Sequence, residues 1–351
     1  MSKNIVFCAD GTWNHPHSPV LVEDADTNVY KLYKTLAVTP SQITFYDDGV
    51  GSDGTPIDRL LGGAIGLGLF QKIKDGYTAI AHVYEERDGI FIFGFSRGAY
   101  TARSLAGMIA VCGLPTKNFD QKMVDVAFQA YRDKSQRDGL LASLANYSLF
   151  DAKITMIGVW DTVGALGIPG ELFTFDDKTY SFLDTSLHHD VLHAYHALSI
   201  DERRSEFQPT LWTSAPASGQ TLEQVWFAGV HCDVGGGYGE TGLSDITLAW
   251  MLNKAVTHGL QVINAKYQSI EAKHALDQVH ESWTPVWGFP QRRVIPDSAT
   301  IANSVTVRLG AQIGYAPPNL KAASGQPGVY TWAEVVAPPA PAASAAAGSQ
   351  N

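Results

Sequence analysis

The feature that most constrains the fold is a five-residue turn, Gly-Phe-Ser-Arg-Gly at 94–98, between an apolar run and a helix-forming run. Residues 89–95 carry no charge, which predicts a buried strand. Residues 99–106 are rich in small side chains that a helix accommodates. Where a strand turns directly into a helix through Gly-x-Ser-x-Gly, the serine hydroxyl points out of the sheet. The sequence therefore predicts a nucleophile elbow at Ser96; the alternative is a plain strand-to-helix turn with an incidental serine.

Other short apolar runs predict further strands of the same kind. They cover residues 4–8, 43–46, 154–160 and 225–230. Helical patterns lie between them, at residues 27–33, at 70–86 and at 246–252, the last preceded by Ser244 and Asp245 as a predicted N-terminal cap. Alternating strands and helices indicate an α/β fold with a doubly wound, mostly parallel sheet. In such a sheet, ligands bind at the carboxyl ends of the strands.

The chain is predicted to form one domain over residues 1–336, with an insertion at about 162–212. The insertion shows few strand signals and is rich in His, Asp and Tyr, so we expect a helical cap or lid over the strand ends. Residues 337–351 are rich in Ala and Pro and contain no bulky apolar side chain. Such a segment cannot offset the entropy of ordering, which predicts a flexible tail.

A catalytic acid and base are expected after Ser96, because the triad of α/β-hydrolases follows the chain order Ser, Asp or Glu, His. Asp161 directly follows the predicted strand 154–160, where a carboxylate can accept the ring N–H of a histidine and orient it. His231 follows another predicted strand and opens a glycine-rich loop. We therefore predict Asp161 as the acid and His231 as the base. The alternative role for Asp161 is to cap the next turn.

The other histidines are weaker candidates for the base. His189, His193 and His196 lie in a predicted helix, where packing or surface roles are expected. His15, His17 and His280 come from loop-like regions. Asp233 is too close to His231 in sequence to orient it, so we expect a structural role for Asp233.

The oxyanion hole is expected to consist of two backbone amides. The amide of Arg97 follows the nucleophile at the start of a helix, where free N–H groups and the helix dipole favour negative charge. A second amide is expected from Gly11 or Thr12, in the loop after the first strand; an ordinary glycine turn is the alternative. The Arg97 side chain is predicted to be either a catalytic group or a salt-bridge partner.

No cofactor or metal is expected. The glycine-rich run at 62–68 does not directly follow a strand, as a dinucleotide-binding loop requires. Asp10, Asp47 and Asp48 suggest a cation site, but acidic loops are usually only solvated, so the sequence does not predict a metal.

Composition excludes several classes of protein. The hydrophobic content of 45% supports a large core, and the formal net charge of −10 argues against a nucleic-acid partner. Three cysteines cannot form a disulfide framework. The uncharged apolar stretches are shorter than the ~20 residues of a membrane span, and the N-terminus has no signal-peptide pattern. We expect a cytoplasmic protein, with export by a signal-independent route left open.

Seven sequence blocks together resemble a known family. They are DGTWN at 10–14, TNV at 27–29, GFSRGAYTAR at 94–103, GVWDTVG at 158–164, AYHAL at 194–198, DERR at 201–204 and GVHCDVGGGY at 229–238. The chain resembles, over roughly residues 4–320, an α/β-hydrolase domain family related to type VI secretion lipase effectors of the first class. The resemblance implies an α/β-hydrolase-like fold and a phospholipase A type esterase. It places the nucleophile, acid and base on Ser96, Asp161 and His231.

The sequence thus predicts a serine hydrolase that cleaves carboxylic esters through an acyl-enzyme. Lipids are the expected substrates, with transient contact to a membrane surface. The first alternative is an esterase, thioesterase or amidase acting on a soluble small molecule, which the net charge of −10 favours because anionic membranes would repel the protein. The second alternative is a non-catalytic binding protein with the same fold.

Overall fold

The computed structural model of the chain describes residues 2–11, 26–48, 64–116, 118–163, 186–320 and 330–336. Among these residues, the strands are β1 (Asn4–Ala9), β2 (Gln42–Asp47), β3 (Gly89–Phe95), β4 (Leu114–Pro115), β5 (Leu149–Phe150), β6 (Ile154–Trp160), β7 (Val191–Ser199), β8 (Thr221–Phe227), β9 (Thr300–Ala302) and β10 (Thr331–Ala333). The α-helices are α1 (Asn28–Thr35), α2 (Ala64–Val83), α3 (Arg97–Cys112), α4 (Gln121–Arg132), α5 (Arg137–Ser143), α6 (His231–Gly235), α7 (Gly242–Thr257), α8 (Asn264–Gln268) and α9 (Asn303–Gly310).

The main sheet has eight strands in the order β10-β9-β8-β7-β6-β3-β1-β2, and each adjacent pair is parallel. β4 and β5 form a separate antiparallel pair. Because the strands are parallel, the carboxyl ends of β1, β3, β6, β7 and β8 meet at one edge. The prediction of a doubly wound parallel sheet is confirmed, and the architecture is α/β-hydrolase-like.

Two hydrophobic clusters lie on opposite faces of the sheet. Successive side chains of a strand alternate between faces, so Phe91 and Phe93 of β3 belong to one cluster, while Ile90 and Ile92 belong to the other. All four are fully buried. Burial on both faces explains why the central strands have continuous apolar sequences.

The predicted strands correspond to β1, β2, β3, β6 and β8, with ends displaced by a few residues at most. The helix predicted to start at Ser244 and Asp245 begins earlier, because Thr241 is the residue before α7 and its hydroxyl donates to the Asp245 carboxylate at 2.8 Å. Ser244 and Asp245 therefore lie in the first turn rather than before it.

The predicted cap at 162–212 is wrong in its second half. This range contains β7, which pairs in parallel with β6 on one side and β8 on the other. The helix predicted through His193 and His196 is therefore a central strand, while His189 lies in the turn before it. Pairing on both sides overrides the helix propensity of its Ala and Leu residues. Residues 164–185 and the predicted tail at 337–351 lie outside the described residues.

In the described part of the chain, no helix has both the length and the apolar character that crossing a bilayer requires.

Candidate active site

The turn at Ser96 has the strained geometry of a nucleophile elbow. Ser96 has φ 56° and ψ −121°, in a region that residues other than glycine rarely occupy. Its amide donates to the Trp160 carbonyl at 3.0 Å, which ties the elbow to the neighbouring strand β6. A Cβ on Gly94 would lie 2.4 Å from the Gly98 carbonyl oxygen, and one on Gly98 would lie 2.2 Å from the Ala9 carbonyl oxygen. Both glycines are required for this close approach of β1, β3 and α3.

The Ser96 side chain lies at the amino end of α3 without capping it. Ser96 is 8% exposed. Within the described part of the chain, its hydroxyl forms no hydrogen bond. The amide of Arg97 belongs to the first turn of the helix, where N–H groups lack intrahelical acceptors. It is therefore available to a negatively charged oxygen near Ser96.

Asp161 lies at the end of β6, two strand positions from β1 and directly beside β3. It is fully buried and has φ 40°, a second strained backbone position at this edge. Its Oδ1 accepts the Ser199 amide at 3.0 Å, and its Oδ2 accepts from the His231 ring. The carboxylate thus has a fixed orientation set by the strand ends of β6 and β7.

His231 begins α6 and contacts Asp161 directly. The distance from His231 Nδ1 to Asp161 Oδ2 is 2.6 Å. The imidazole also packs against the rings of Phe95, next to Ser96 in sequence, and Phe207, at centroid distances of 4.6 and 4.9 Å. Burial lowers the pKa of His231, and the hydrogen bond and negative charge of Asp161 act in the opposite direction. The structure therefore brings Asp161 and His231 together next to the elbow.

Arg293 is a site residue that the sequence did not indicate. Its side chain is fully buried, and its Nη1 and Nη2 donate to Asp161 Oδ1 and Oδ2 at 2.6 and 2.8 Å. Burial acts to raise the pKa of Asp161, but the Arg293 charge and the bonds from His231 and Arg293 hold it well below its usual range. Asp161 therefore stays ionised despite its burial.

A second buried ion pair, between Glu202 and Arg204, contacts the backbone of His231. Glu202 is 1% exposed and receives Arg204 Nε and Nη2 at 2.9 and 2.8 Å. The same carboxylate accepts the backbone amide of His231 at 3.2 Å and the hydroxyl of Ser282 at 3.0 Å. Glu202 and Arg204 were not predicted as site residues, although the DERR block at 201–204 was a signal in the sequence.

The rival histidines have other contacts. His196 is fully buried, and its Nε2 accepts the amide of Thr162 at 3.1 Å, which fixes the turn after Asp161. Burial lowers the pKa of His196 to about 3. His280 Nδ1 lies 2.6 Å from Asp233, whose Oδ2 accepts the Val230 amide before α6. Asp233 thus has the structural role predicted for it.

The remaining rival histidines lie away from the elbow or outside the described residues. His193 stacks on His258 with ring centroids 3.6 Å apart. His189 belongs to the turn before β7. His15 and His17 lie outside the described residues.

The predicted second oxyanion donor is not offered by Gly11 in this structure. The Gly11 amide donates to Asp10 Oδ1 at 2.6 Å, so it is already occupied. Asp10 Oδ2 accepts from the hydroxyls of Thr27 and Tyr46 at 2.6 and 2.7 Å, and burial raises the pKa of Asp10 to about 6. Thr12, the other predicted donor, lies outside the described residues.

The acidic residues considered as cation ligands are engaged otherwise. Asp47 forms an ion pair with Lys72, and Asp48 lies 3.7 Å from the same ammonium group. The one described group close enough to hold a metal is His188, His189 and Asp190. It precedes β7, at the edge of the sheet opposite Ser96.

The Arg97 side chain has no carboxylate within ion-pair distance among the residues that the structure describes. Burial lowers the pKa of Arg97 to about 10. Of the two roles considered for the Arg97 side chain, a salt bridge is not formed with any residue that the structure describes.

A strained serine elbow beside a buried carboxylate–imidazole pair, at the carboxyl edge of a doubly wound parallel sheet, defines an α/β-hydrolase-like protein. The family model described as "T6SS, Phospholipase effector Tle1-like, catalytic domain" matches residues 3–254. Because this match covers most of the chain, the protein belongs to the family of Tle1-like phospholipase effector catalytic domains.

One curated protein is similar to the chain in sequence, and two solved structures are weakly similar to it in fold. An uncharacterised protein of Saccharomyces cerevisiae, YEL023C, is 32% identical over 241 residues, which are 61% of this chain and 33% of that protein. The chain thus spans about a third of its curated relative. A crystal structure of an uncharacterised Pseudomonas aeruginosa protein is similar at 17% identity and TM-score 0.47, over 74% of this chain and 46% of that one. The Tle1 effector bound to the VgrG spike of the type VI secretion system is similar at 19% identity and TM-score 0.39, over 68% and 51% of the chains.

Proposed function

We propose that the protein is a serine hydrolase that cleaves carboxylic esters through a Ser96–His231–Asp161 triad and an acyl-enzyme, with lipids as substrates. The observation that carries this proposal is the 2.6 Å contact between His231 Nδ1 and Asp161 Oδ2 beside the Ser96 elbow. Membership of a phospholipase family supports ester cleavage.

In the proposed reaction, Ser96 Oγ attacks the ester carbonyl while His231 Nε2 takes the hydroxyl proton. The tetrahedral intermediate collapses, the alcohol leaves with the proton from His231, and an acyl-Ser96 ester remains. Water then attacks this ester, with His231 as base, and releases the carboxylic acid and free Ser96. Asp161 holds the His231 tautomer in which Nδ1 carries hydrogen, so that Nε2 can accept.

The negative charge of the intermediate needs donors near Ser96. The Arg97 amide, at the positive end of α3, is the proposed first donor. Because the Gly11 amide is occupied by Asp10, we propose the amide of Thr12 as the second donor. Removal of one such donor typically costs about 10²- to 10³-fold in kcat.

Substitution of the nucleophile tests the chemistry. Ser96→Ala should reduce hydrolysis of a p-nitrophenyl ester by on the order of 10³-fold or more and abolish labelling by a fluorophosphonate probe. Ser104→Ala is the matched control, because Ser104 lies on the same helix and is fully buried. Near-normal ester hydrolysis and continued labelling in Ser96→Ala would rule out the triad. Absence of labelling in the wild type would favour the non-catalytic binding protein.

The alternative substrate is a soluble small-molecule ester, thioester or amide, which the formal net charge of −10 favours. Hydrolysis of p-nitrophenyl esters of increasing chain length, with and without micelles, separates the two. A rise in rate at the micelle threshold supports lipid substrates. A preference for short soluble esters, with no such rise, contradicts them.

A further inference from the structure

We infer that Arg293 is a positioning residue of the catalytic site. It fixes the orientation of Asp161 by donating a hydrogen bond to each carboxylate oxygen, and it keeps His231 an effective base in mildly acidic solution. This inference rests on the proposed function of Ser96, His231 and Asp161. It adds a fourth side chain from a segment 132 residues beyond Asp161.

The first support is the geometry of the contact. Arg293 Nη1 and Nη2 donate to the two oxygens of Asp161 at 2.6 and 2.8 Å, the two-point arrangement that a guanidinium forms with a carboxylate. The pair is completely shielded from solvent. A bond to each oxygen prevents rotation of the carboxylate, so Oδ2 stays directed at His231 Nδ1.

The second support is that Arg293 is itself held rigidly. Its Nη1 also donates to the Ser199 carbonyl at 3.0 Å, and its Nη2 to the Phe207 carbonyl at 2.5 Å. Asn319 Nδ2 binds the Arg293 carbonyl at 3.2 Å. The Phe207 ring packs against His231, so one guanidinium connects the acid, the strand end of β7 and the segment that contacts the imidazole.

The third support is the balance of charge around the imidazole. The charged groups that face His231 are Asp161 from the end of β6, Glu202 and Arg204 from the segment after β7, Arg293 behind Asp161, and Asp233 on its own helix, paired with His280. Arg293 neutralises Asp161 just as Arg204 neutralises Glu202.

Loss of the Arg293 charge leaves the Asp161 anion uncompensated. The Asp161–His231 pair then binds its first proton at higher pH, whichever of the two groups holds it. Since the base must be unprotonated to activate Ser96, the acidic limb of the pH–activity profile should move to higher pH.

The test measures the pH dependence of Ser96 labelling by a fluorophosphonate probe, alongside kcat/KM for a p-nitrophenyl ester. Arg293→Gln should move the acidic limb upward by about one pH unit, which slows labelling about tenfold at pH values below the limb. Arg293→Lys keeps the charge but cannot bridge both oxygens. In Arg293→Lys, the acidic limb should therefore stay at the wild-type pH, while labelling is slower at every pH.

The control is Arg308→Gln. Arg308 is similarly buried, and its Nη1 donates to the carbonyls of Ala275 and Asp277 at 2.8 and 2.6 Å. Its loss should lower the melting temperature without moving the acidic limb.

An unshifted limb in folded Arg293→Gln overturns the inference, as does an equal shift in Arg308→Gln. If circular dichroism shows that Arg293→Gln does not fold, the Arg293→Lys variant provides the test. Labelling of Arg293→Lys at the wild-type rate across the pH range would then overturn the inference. Labelling of the Ser96→Ala variant would instead refute the proposed function. Failure of the Arg293 inference and failure of the proposed function therefore give different results.

Discussion

Replacement of Glu202 by Gln should destabilise the fold strongly at neutral pH and much less in acid. The Glu202 carboxylate is buried and accepts six separate donors: the amides of Arg203, Arg204 and His231, the Nε and Nη2 of Arg204, and the hydroxyl of Ser282. Burial acts to raise its pKa, but the bonds and charge of Arg204 prevail and lower it from 4.5 to about 2. The glutamine side chain has nearly the same shape but no charge, so Glu202→Gln removes the attraction to Arg204.

The magnitude follows from the linkage between proton binding and folding. A carboxyl group whose pKa falls from 4.5 to about 2 on folding contributes about 3 kcal/mol at pH 7. The pKa is depressed in the folded state, so this contribution is present above the unfolded pKa and is lost as the pH falls through the folded one. The difference between wild type and Glu202→Gln should therefore shrink to about half by pH 3.

Urea unfolding at pH 7, 4 and 3 measures this difference, provided that the slope of the transition is the same in both proteins. Glu223→Gln is the matched control. Glu223 is 33% exposed and pairs with Lys254 at 2.7 Å, so its loss should cost about 1 kcal/mol or less. A cost for Glu202→Gln that is equal at pH 7 and pH 3, or no larger than that of Glu223→Gln, would refute the electrostatic reasoning.

Two further substitutions test the strand ends beside Ser96. Gly98→Ala places a Cβ 2.2 Å from the Ala9 carbonyl oxygen, so it should cost about 1–3 kcal/mol of stability and reduce kcat, whereas Gly139→Ala, where no atom lies within 4 Å, should do neither. Urea unfolding and ester hydrolysis of both variants provide the comparison, and equal effects would contradict it. The pKa of Asp10 is raised from 3.8 to about 6 in the folded protein, so its contribution to stability is fully present below pH 3.8, and about 3 kcal/mol is lost as the pH rises from there through 6. Asp10→Asn should abolish this loss in unfolding measured at pH 3 and pH 8; an unchanged pH dependence would contradict the assignment.

The central strands could be predicted from the sequence because both of their faces are buried. Residues such as Phe91 and Ile92 give continuous apolar runs that need little context. β7 was missed because it mixes His, Ala and Leu, and its histidines have helical spacing. Its strand conformation depends on pairing with β6 and β8, which no local pattern encodes. β9 and β10 have three residues each, too few to show a period.

The candidate site also contains residues whose position could be predicted from the sequence and one whose position could not. The position of Ser96, Asp161 and His231 at one edge of the sheet could be predicted, because each follows a strand and parallel strands bring their carboxyl ends together. Arg293 was not predictable. It follows Arg292 in a loop, and nothing local distinguishes the buried arginine from its neighbour. Its position depends on Asp161, 132 residues earlier, which creates a buried charge that a cation must balance.

Charge balance gives this edge of the sheet its proposed chemical character. Asp161 is paired with Arg293, and Glu202 is paired with Arg204, so the two buried carboxylates around His231 contribute little net charge. In the proposed reaction, His231 takes the Ser96 proton, and the imidazolium and the negative oxygen of the intermediate are new charges in a largely buried site. They can be stabilised only by groups already in place, which are the Asp161 carboxylate below the imidazole and the amides at the start of α3. We therefore propose that the two ion pairs serve this reaction by holding those groups in place.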